Sequence, residues 1–280
     1  MVQLAIADEG VVAAFVVPER IVVLRLPSGE QLGELDFGPV AAGEARRIAW
    51  LGNRLLVVTR HAASTELAIV EPARTGVREI ARRHEAGALE LAAVVGDRAV
   101  LVGEHGAQLI SANGMLQPGP SDVANAIVAT AGDQLVIARG DAIEEWDPST
   151  RVGRRRWRVS GPLVALGGSP RVLWSIAAAS PTRLDVLPLV HLNQPRHRVL
   201  PQPFDHVASD PQHDLIAGLA AGRVYLVDLD GDEPPHDVAF ELDAPIAAVA
   251  LGRGRSHLVV VTELGTIASF ALDATGHVLR

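Results

Sequence analysis

The chain has 280 residues, 48% of them hydrophobic, with a formal net charge of −8 and no cysteine. That apolar content excludes a disordered chain, and the acidic balance disfavours a general binder of nucleic acid or anionic membrane. The absence of thiols excludes disulfides, thiol chemistry and thiolate metal sites. All 25 basic residues are arginine, a usage associated with GC-rich, bacterial genomes. The opening MVQLAIADEG lacks a basic leader segment and carries an early acidic pair. No signal peptide is expected, and a cytoplasmic location is the default. No apolar run approaches the about 20 residues that cross a bilayer, so no membrane contact is expected. Both ends lie within strand-like text, which fits a whole domain or a piece of a longer chain.

In chain order, residues 1–38 supply four strand-like runs, at 3–7, 11–17, 20–26 and 30–37. The turn in LRLPSGEQL (24–32) has a form that recurs in IVEPARTGV (69–77), AIEEWDPSTRV (142–152), LVDLDGDE (226–233) and FALDATGHV (270–278). Each joins an apolar run to an acidic or Pro residue, a small polar residue and a Gly or its counterpart. Pro presets φ, and Asp, Ser and Thr side chains satisfy nearby backbone donors, so these are tight turns between strands. A second motif lies upstream of the first. WLGNRLLVV (50–58), VVGDRAVLV (94–102) and TAGDQLVIA (130–138) place Gly-Asn or Gly-Asp between apolar runs, a two-residue hairpin signal. Weaker copies occur at 166–174, 209–217 and 251–260.

The turn glycines Gly52, Gly96, Gly132 and Gly168 are spaced by 44, 36 and 36 residues. A period near 40 with four short strands predicts an all-β, seven-bladed β-propeller of four-stranded antiparallel blades. The units fall at 1–38, 39–85, 86–121, 122–161, 162–203, 204–242 and 243–280, within one domain, 1–280. First strands are small and apolar (QLAIA, RIAWL, LELAAVV, NAIVATA, LVALG, HVAS, IAAVAL), as strands converging near an axis must be. Ala5, Ala49, Ala93, Ala129, Ala165, Ala208 and Ala248 are expected there. Val57, Val100, Val136, Leu173, Ile216 and Val259, on second strands, are expected to be buried.

Residues 206–233, HVASDPQHDLIAGLAAGRVYLVDLDGDE, resemble a WD-repeat blade from its first strand through its third, and Trp146-Asp147 is a literal Trp-Asp pair. The architecture resembles WD-repeat and quinoprotein-like propellers, weakly over all seven units. The resemblance implies an interaction platform. No unit carries the Gly-His dipeptide ahead of its first strand as the typical WD repeat does, the pair Gly276-His277 falling in the 270–278 turn instead, so the buried His-Ser-Trp-Asp network is not expected.

Chemistry is sparse. Asp205, His206, Asp210, His213 and Asp214 have metal-ligand residue types, but Asp210 to His213 occupy a hairpin-turn slot. His191 and His197 lie in a Pro-rich outer segment without a ligand quartet. Arg151, Arg154, Arg155, Arg156 and Arg158 with Trp157 are the only basic run. On a strand, Arg154, Arg156 and Arg158 face one way and Arg155 and Trp157 the other. No nucleophile elbow, zinc motif, phosphate loop or dinucleotide fingerprint occurs, and no cofactor or metal is expected.

The leading reading is a non-catalytic scaffold for other proteins, with nucleic acid disfavoured. The alternatives are a propeller hydrolase or lyase with an axial site, helped by carboxylates such as Asp8 and Asp210, and an anion or nucleic-acid binder acting through Arg151 to Arg158. The candidate protein-binding residues are those between second and third strands: Arg60, His61, Glu104, His105, Arg139, Asp141, Arg223 and Glu263.

Overall fold

The computed structural model describes residues 3–7, 12–17, 19–26, 28–39, 41–73, 76–124, 126–159, 161–189, 195–210, 212–252, 257–273 and 278. Among them every regular element is a β-strand. The chain divides into two compact units, Met1–Ala124 and Asn125–Arg280.

Unit 1 holds three four-stranded antiparallel meanders. The first is β1 (Gln3–Ile6), β2 (Val12–Val17), β3 (Arg20–Arg25) and β4 (Glu30–Asp36), as the four runs in 1–38 predict. The second is β5 (Ala45–Leu51), β6 (Arg54–Arg60), β7 (Ser64–Ala73) and β8 (Gly76–Ala86). The third is β9 (Glu90–Val95), β10 (Arg98–Gly103), β11 (Gly106–Ser111) and β12 (Leu116–Pro118).

Unit 2 begins with β13 (Ile127–Ala131), β14 (Gln134–Arg139), β15 (Ala142–Asp147) and β16 (Val152–Arg158). Then come β17 (Leu163–Gly168), β18 (Val172–Ala177), β19 (Arg183–Pro188) and β20 (Arg196–Val199). These eight form one sheet, because a single parallel bridge, Ala131 to Gly168, joins the two meanders at their first strands. A meander of β21 (His206–Ser209), β22 (Leu215–Ala220), β23 (Arg223–Asp228) and β24 (His236–Val238) follows. The last sheet is β25 (Ile246–Leu251), β26 (His257–Thr262) and β27 (Ile267–Ala271).

First strands lie side by side. In unit 1, β1 lies against β5 and β5 against β9; in unit 2, β13 against β17, β17 against β21 and β21 against β25. Small side chains permit this approach. Ala49 and Ala248 are buried, and Ala5, Ala93, Ala129, Ala165 and Ala208 are half-buried.

Second strands whose side chains are described have no exposed residue. All six residues of β18 and of β22 are buried. Because side chains alternate along a strand, one second strand feeds two cores. On β6, Leu55 and Val57 pack with Ile21, Val23 and Trp50. Leu56 and Val58 pack on the other face with Ala99, Leu101 and Ile110. On β22, Ile216 meets Trp174 and Val186, whereas Leu215, Ala217 and Leu219 meet Val249 and Val260. Val57, Val100, Val136, Leu173, Ile216 and Val259 are each at most 2% exposed, so the expected register holds. Each such side chain contributes about 1.5–3 kcal/mol through burial.

Three of the four turn glycines behave as expected. Gly52, Gly96 and Gly132 have φ of +62°, +58° and +58° and close two-residue hairpins in which Leu51 pairs Arg54, Val95 pairs Arg98 and Ala131 pairs Gln134. Gly168 is a correction: it ends β17, opposite Leu173. The turn is Ser169 to Arg171, closed by Ser169 Oγ, which accepts from the Arg171 and Val172 amides at 3.0 and 3.2 Å. Gly168 is needed for space, since a Cβ there would stand 2.6 Å from Val172 O and 2.9 Å from the Ala131 Cβ.

The two roles predict different substitution profiles. Gly52→Asn is expected to cost under about 1 kcal/mol, because Asn tolerates positive φ, and Gly52 faces open space. Gly168→Ala costs about 1–3 kcal/mol by overpacking, and Gly168→Asn costs more than Gly168→Ala. Urea unfolding of the three variants checks the order.

Candidate interaction site

Each meander has two ends. First and second strands, and third and fourth, meet at the hairpin end. Second and third strands meet at the connector end, where the chain also passes to the next sheet.

In unit 1 the connector end is stitched by backbone and threonine. Gly87 N donates to Ala63 O at 3.0 Å. Thr65, fully buried, donates through Oγ1 to Gly87 O (2.9 Å) and accepts from Leu89 N (2.7 Å). Ala107 N donates to Pro120 O at 3.1 Å, and Gly119 N returns to Ala107 O at 3.0 Å. Between the β6–β7 and β10–β11 loops lies a cleft of about 710 Å³, lined by Ala62, Ala63, Gly87, Glu104, His105 and Gln108, among others. Gln108 Oε1 is buried there without a hydrogen-bond partner among the described residues.

In unit 2 the connector end is built the same way. Asp205 N donates to Leu219 O (2.8 Å), and Asp205 Oδ2 accepts from Ala221 N (3.1 Å). Ile246 N donates to Gly222 O (3.3 Å) and Glu263 N to Pro245 O (2.9 Å). A cleft of about 410 Å³ is lined by Ile127, Val164, Pro181, Phe204, Asp205 and His206, with others. Val164 is 57% exposed in it.

The eight candidate residues fall into two sets. Four are held by carboxylates of the chain itself. Arg60 pairs with Glu90 (3.5 Å), His61 Nδ1 with Glu44 (2.7 Å), Arg139 with Glu144 (3.4 Å), and Arg223 with Asp237. The hydrogen bond from His61 holds the Glu44 carboxyl below the usual carboxylate range. The other four, Glu104, His105, Asp141 and Glu263, are exposed, and their side chains make no hydrogen bond or ion pair among the described residues. Three of these four are acidic.

The hairpin end holds what the sequence did not announce. The Asp210 turn forms as expected, with Gln212 N donating to Asp210 Oδ1 (2.9 Å) and His213 Nδ1 against Oδ2 (2.8 Å). Asp214, 3% exposed, instead reaches the neighbouring turn, where Ser169 Oγ donates to Oδ1 and Arg171 Nε pairs with Oδ2 at 3.3 Å. Arg171 also grips Asp230, and that bond with the charges of Asp214 and Asp230 pushes its guanidinium upward. The lock joins two turns 45 residues apart, so no local pattern could reveal it. No group of three His, Asp or Glu with metal-binding geometry occurs among the described residues. On β16, Arg156 and Arg158 are exposed while Trp157 is buried in the core, the facing expected of that strand. His191 and Asp8 lie outside the described residues. In the Trp146-Asp147 turn, Asp147 Oδ1 accepts from the Ser149 and Thr150 amides at 2.8 and 3.3 Å.

The meanders and their face-to-face cores define an all-β propeller. No protein-family model matches the chain, and no curated protein does. Solved structures match over 96% of it. The chain is similar to the Neurospora crassa Pan2 WD40 domain, with TM-score 0.69, 12% identity and 87% of that chain covered. It is similar to the β-propeller domain of Myceliophteria thermophila Cps50 (Swd1), with TM-score 0.68, 14% identity and 95% of that chain covered. A chain in the structure of the mitotic checkpoint complex matches with TM-score 0.64 and 12% identity over 86% of its length. The WD40-type propeller fold is thereby shared.

Two outcomes follow from the site's electrostatics. Asp214→Ala strands a buried serine hydroxyl and is expected to cost about 1–3 kcal/mol. Asp230→Ala, on the surface, costs under about 1 kcal/mol; denaturant midpoints distinguish them. For Glu44 the folded value is depressed, so the pair stabilises at neutral pH and that contribution fades as pH falls through the lowered value. In His61→Ala, Glu44 should titrate at higher pH than in the parent, measured by carboxyl-carbon NMR; an unchanged midpoint would refute the pairing.

Proposed function

We propose that this chain is a seven-bladed, non-catalytic propeller that serves as a rigid platform for another protein, contacted through its connector ends. Seven blades follow if the eight-stranded sheet counts as two meanders and β25 to β27 as a blade whose fourth strand lies outside the described residues. The observation that carries the reading is the 710 Å³ cleft of unit 1, with Glu104 and His105 on its wall, whose side chains make no hydrogen bond or ion pair among the described residues. Binding residues concentrate on loops held by a rigid scaffold. The likeness to a chain of the mitotic checkpoint complex supports the same reading, since that neighbour sits in an assembly.

Charge points to the partner's chemistry. The arginines of these loops are neutralised by Glu90, Glu144 and Asp237, whereas Glu104, Asp141 and Glu263 project unpaired among the described residues. A partner presenting basic side chains is complementary to each unit, and complementarity of this kind governs encounter rate and specificity.

Affinity capture followed by mass spectrometry, then binding measured with the purified partner, tests the proposal. The triple variant Glu104→Arg, Asp141→Arg, Glu263→Arg is expected to lose at least about tenfold in affinity while its melting temperature stays within a few degrees of the parent. Undiminished binding of that variant would remove the connector ends from consideration.

A further inference from the structure

We propose that the cleft between the β15–β16 hairpin and strands β18 to β20 binds a small carboxylate carried on an apolar body. The cleft has a volume of about 200 Å³. That is roughly seven water volumes, below the range of drug-sized sites and suited to an acid of about that many heavy atoms.

The pairing register builds its polar wall. Ser175 on β18 stands opposite Asp185 on β19, and Asp185 stands opposite His197 on β20. Directly opposed residues project on one face of a sheet, so the three form a row. Arg183 lies two residues before Asp185 and shares that face. Leu173 and Leu187, opposite each other in the same sheet, continue it as an apolar floor, with Ile143 facing them from β15. Arg158, at the end of β16, lines the mouth.

Two observations point to a ligand. Ser175 is 7% exposed and lines the cleft, yet its hydroxyl makes no hydrogen bond among the described residues. Arg158 likewise has no ion pair among the described residues. That hydroxyl is an available donor on the cleft wall, and the Arg158 guanidinium, which lines the same cleft, supplies the charge that a carboxylate with such a donor would need.

Asp185 organises the site. Its Oδ1 accepts from Arg183 Nε at 2.7 Å and faces His197 Nδ1 at 2.7 Å. Arg183 Nη2 lies 2.9 Å from the His197 ring nitrogens. Arg158 and Arg183 against Asp185 leave one excess positive charge, which matches a monoanion. A dianion would face the Asp185 carboxylate. The planar guanidinium fork also matches a carboxylate, and the leucine floor accepts an apolar body.

The same residue types do not form a nucleophilic triad. Asp185 stands between Ser175 and His197, so serine and histidine are two strand spacings apart, about 9.6 Å. A general base must come within about 3.2 Å of its nucleophile. The row is built to bind.

Calorimetry on the full chain with 4-methylpentanoate, and with 4-methylpentanamide as its neutral counterpart, tests the assignment. The acid is expected to bind saturably and the amide at least about tenfold more weakly. Arg158→Gln should weaken the acid by about tenfold without altering the amide, and Ser175→Ala should weaken the acid by about tenfold. Arg158 is exposed, so its variant folds even if the buried Ser175→Ala does not. Equal affinity for acid and amide, no detectable acid binding, tighter binding of inorganic phosphate, or parent-like binding by Arg158→Gln would each overturn the proposal.

Discussion

A strand buried on both faces cannot exist alone. It needs an apolar surface above it and another below, and the second strands of this chain are strands of that kind. Leu215–Ala220 has six consecutive buried residues that alternate between two cores. Leu55 to Val58 do the same in unit 1. Once such strands recur at a near-constant period, sheets must stack face to face in sequence order. First strands must then stay small, because they lie against the first strands of neighbouring sheets, and outer strands are free to carry charge.

Most of this was legible in the chain because it is local. Gly-Asn and Gly-Asp turns act through the φ of one residue. The Asp147 turn acts through amides two and three residues on. Gly168 was misread because a Gly at the right spacing looks like a turn former. Its real constraint is the crowding of Ala131 and Val172, and the turn chemistry belongs to the serine that follows. The candidate loops were legible as places, but their charges were not legible as available or engaged. Arg60, Arg139 and Arg223 look like free loop charges until a carboxylate is supplied, by the paired strand for Arg139 and Arg223 and by the first strand of the next sheet for Arg60. Arg46 shows the same limit. It is one of two adjacent arginines in the sequence, and it is 7% exposed, bound to the Phe37 and Gly38 carbonyls and stacked over the Phe37 ring.

The two ends of the meanders divide their labour by the length of chain available. Tight turns leave few side chains to spare, so the hairpin end is closed by glycine, serine and aspartate that satisfy their own turn or the neighbouring one. The connector end must carry both a loop and the passage to the next sheet. Its extra backbone is satisfied by Thr65, Pro120 O and Asp205, leaving clefts between loops. Acidic side chains unpaired among the described residues stand at that end in each unit.

The Ser169–Asp214 contact has a dynamic consequence. Its two groups belong to different sheets, and each is buried. Opening either sheet alone would break that contact and take the Arg171 ion pair from Asp214 with it. The two sheets are therefore expected to open as one cooperative segment, with the amide protons of β18 and β22 sharing a single slow exchange process with solvent.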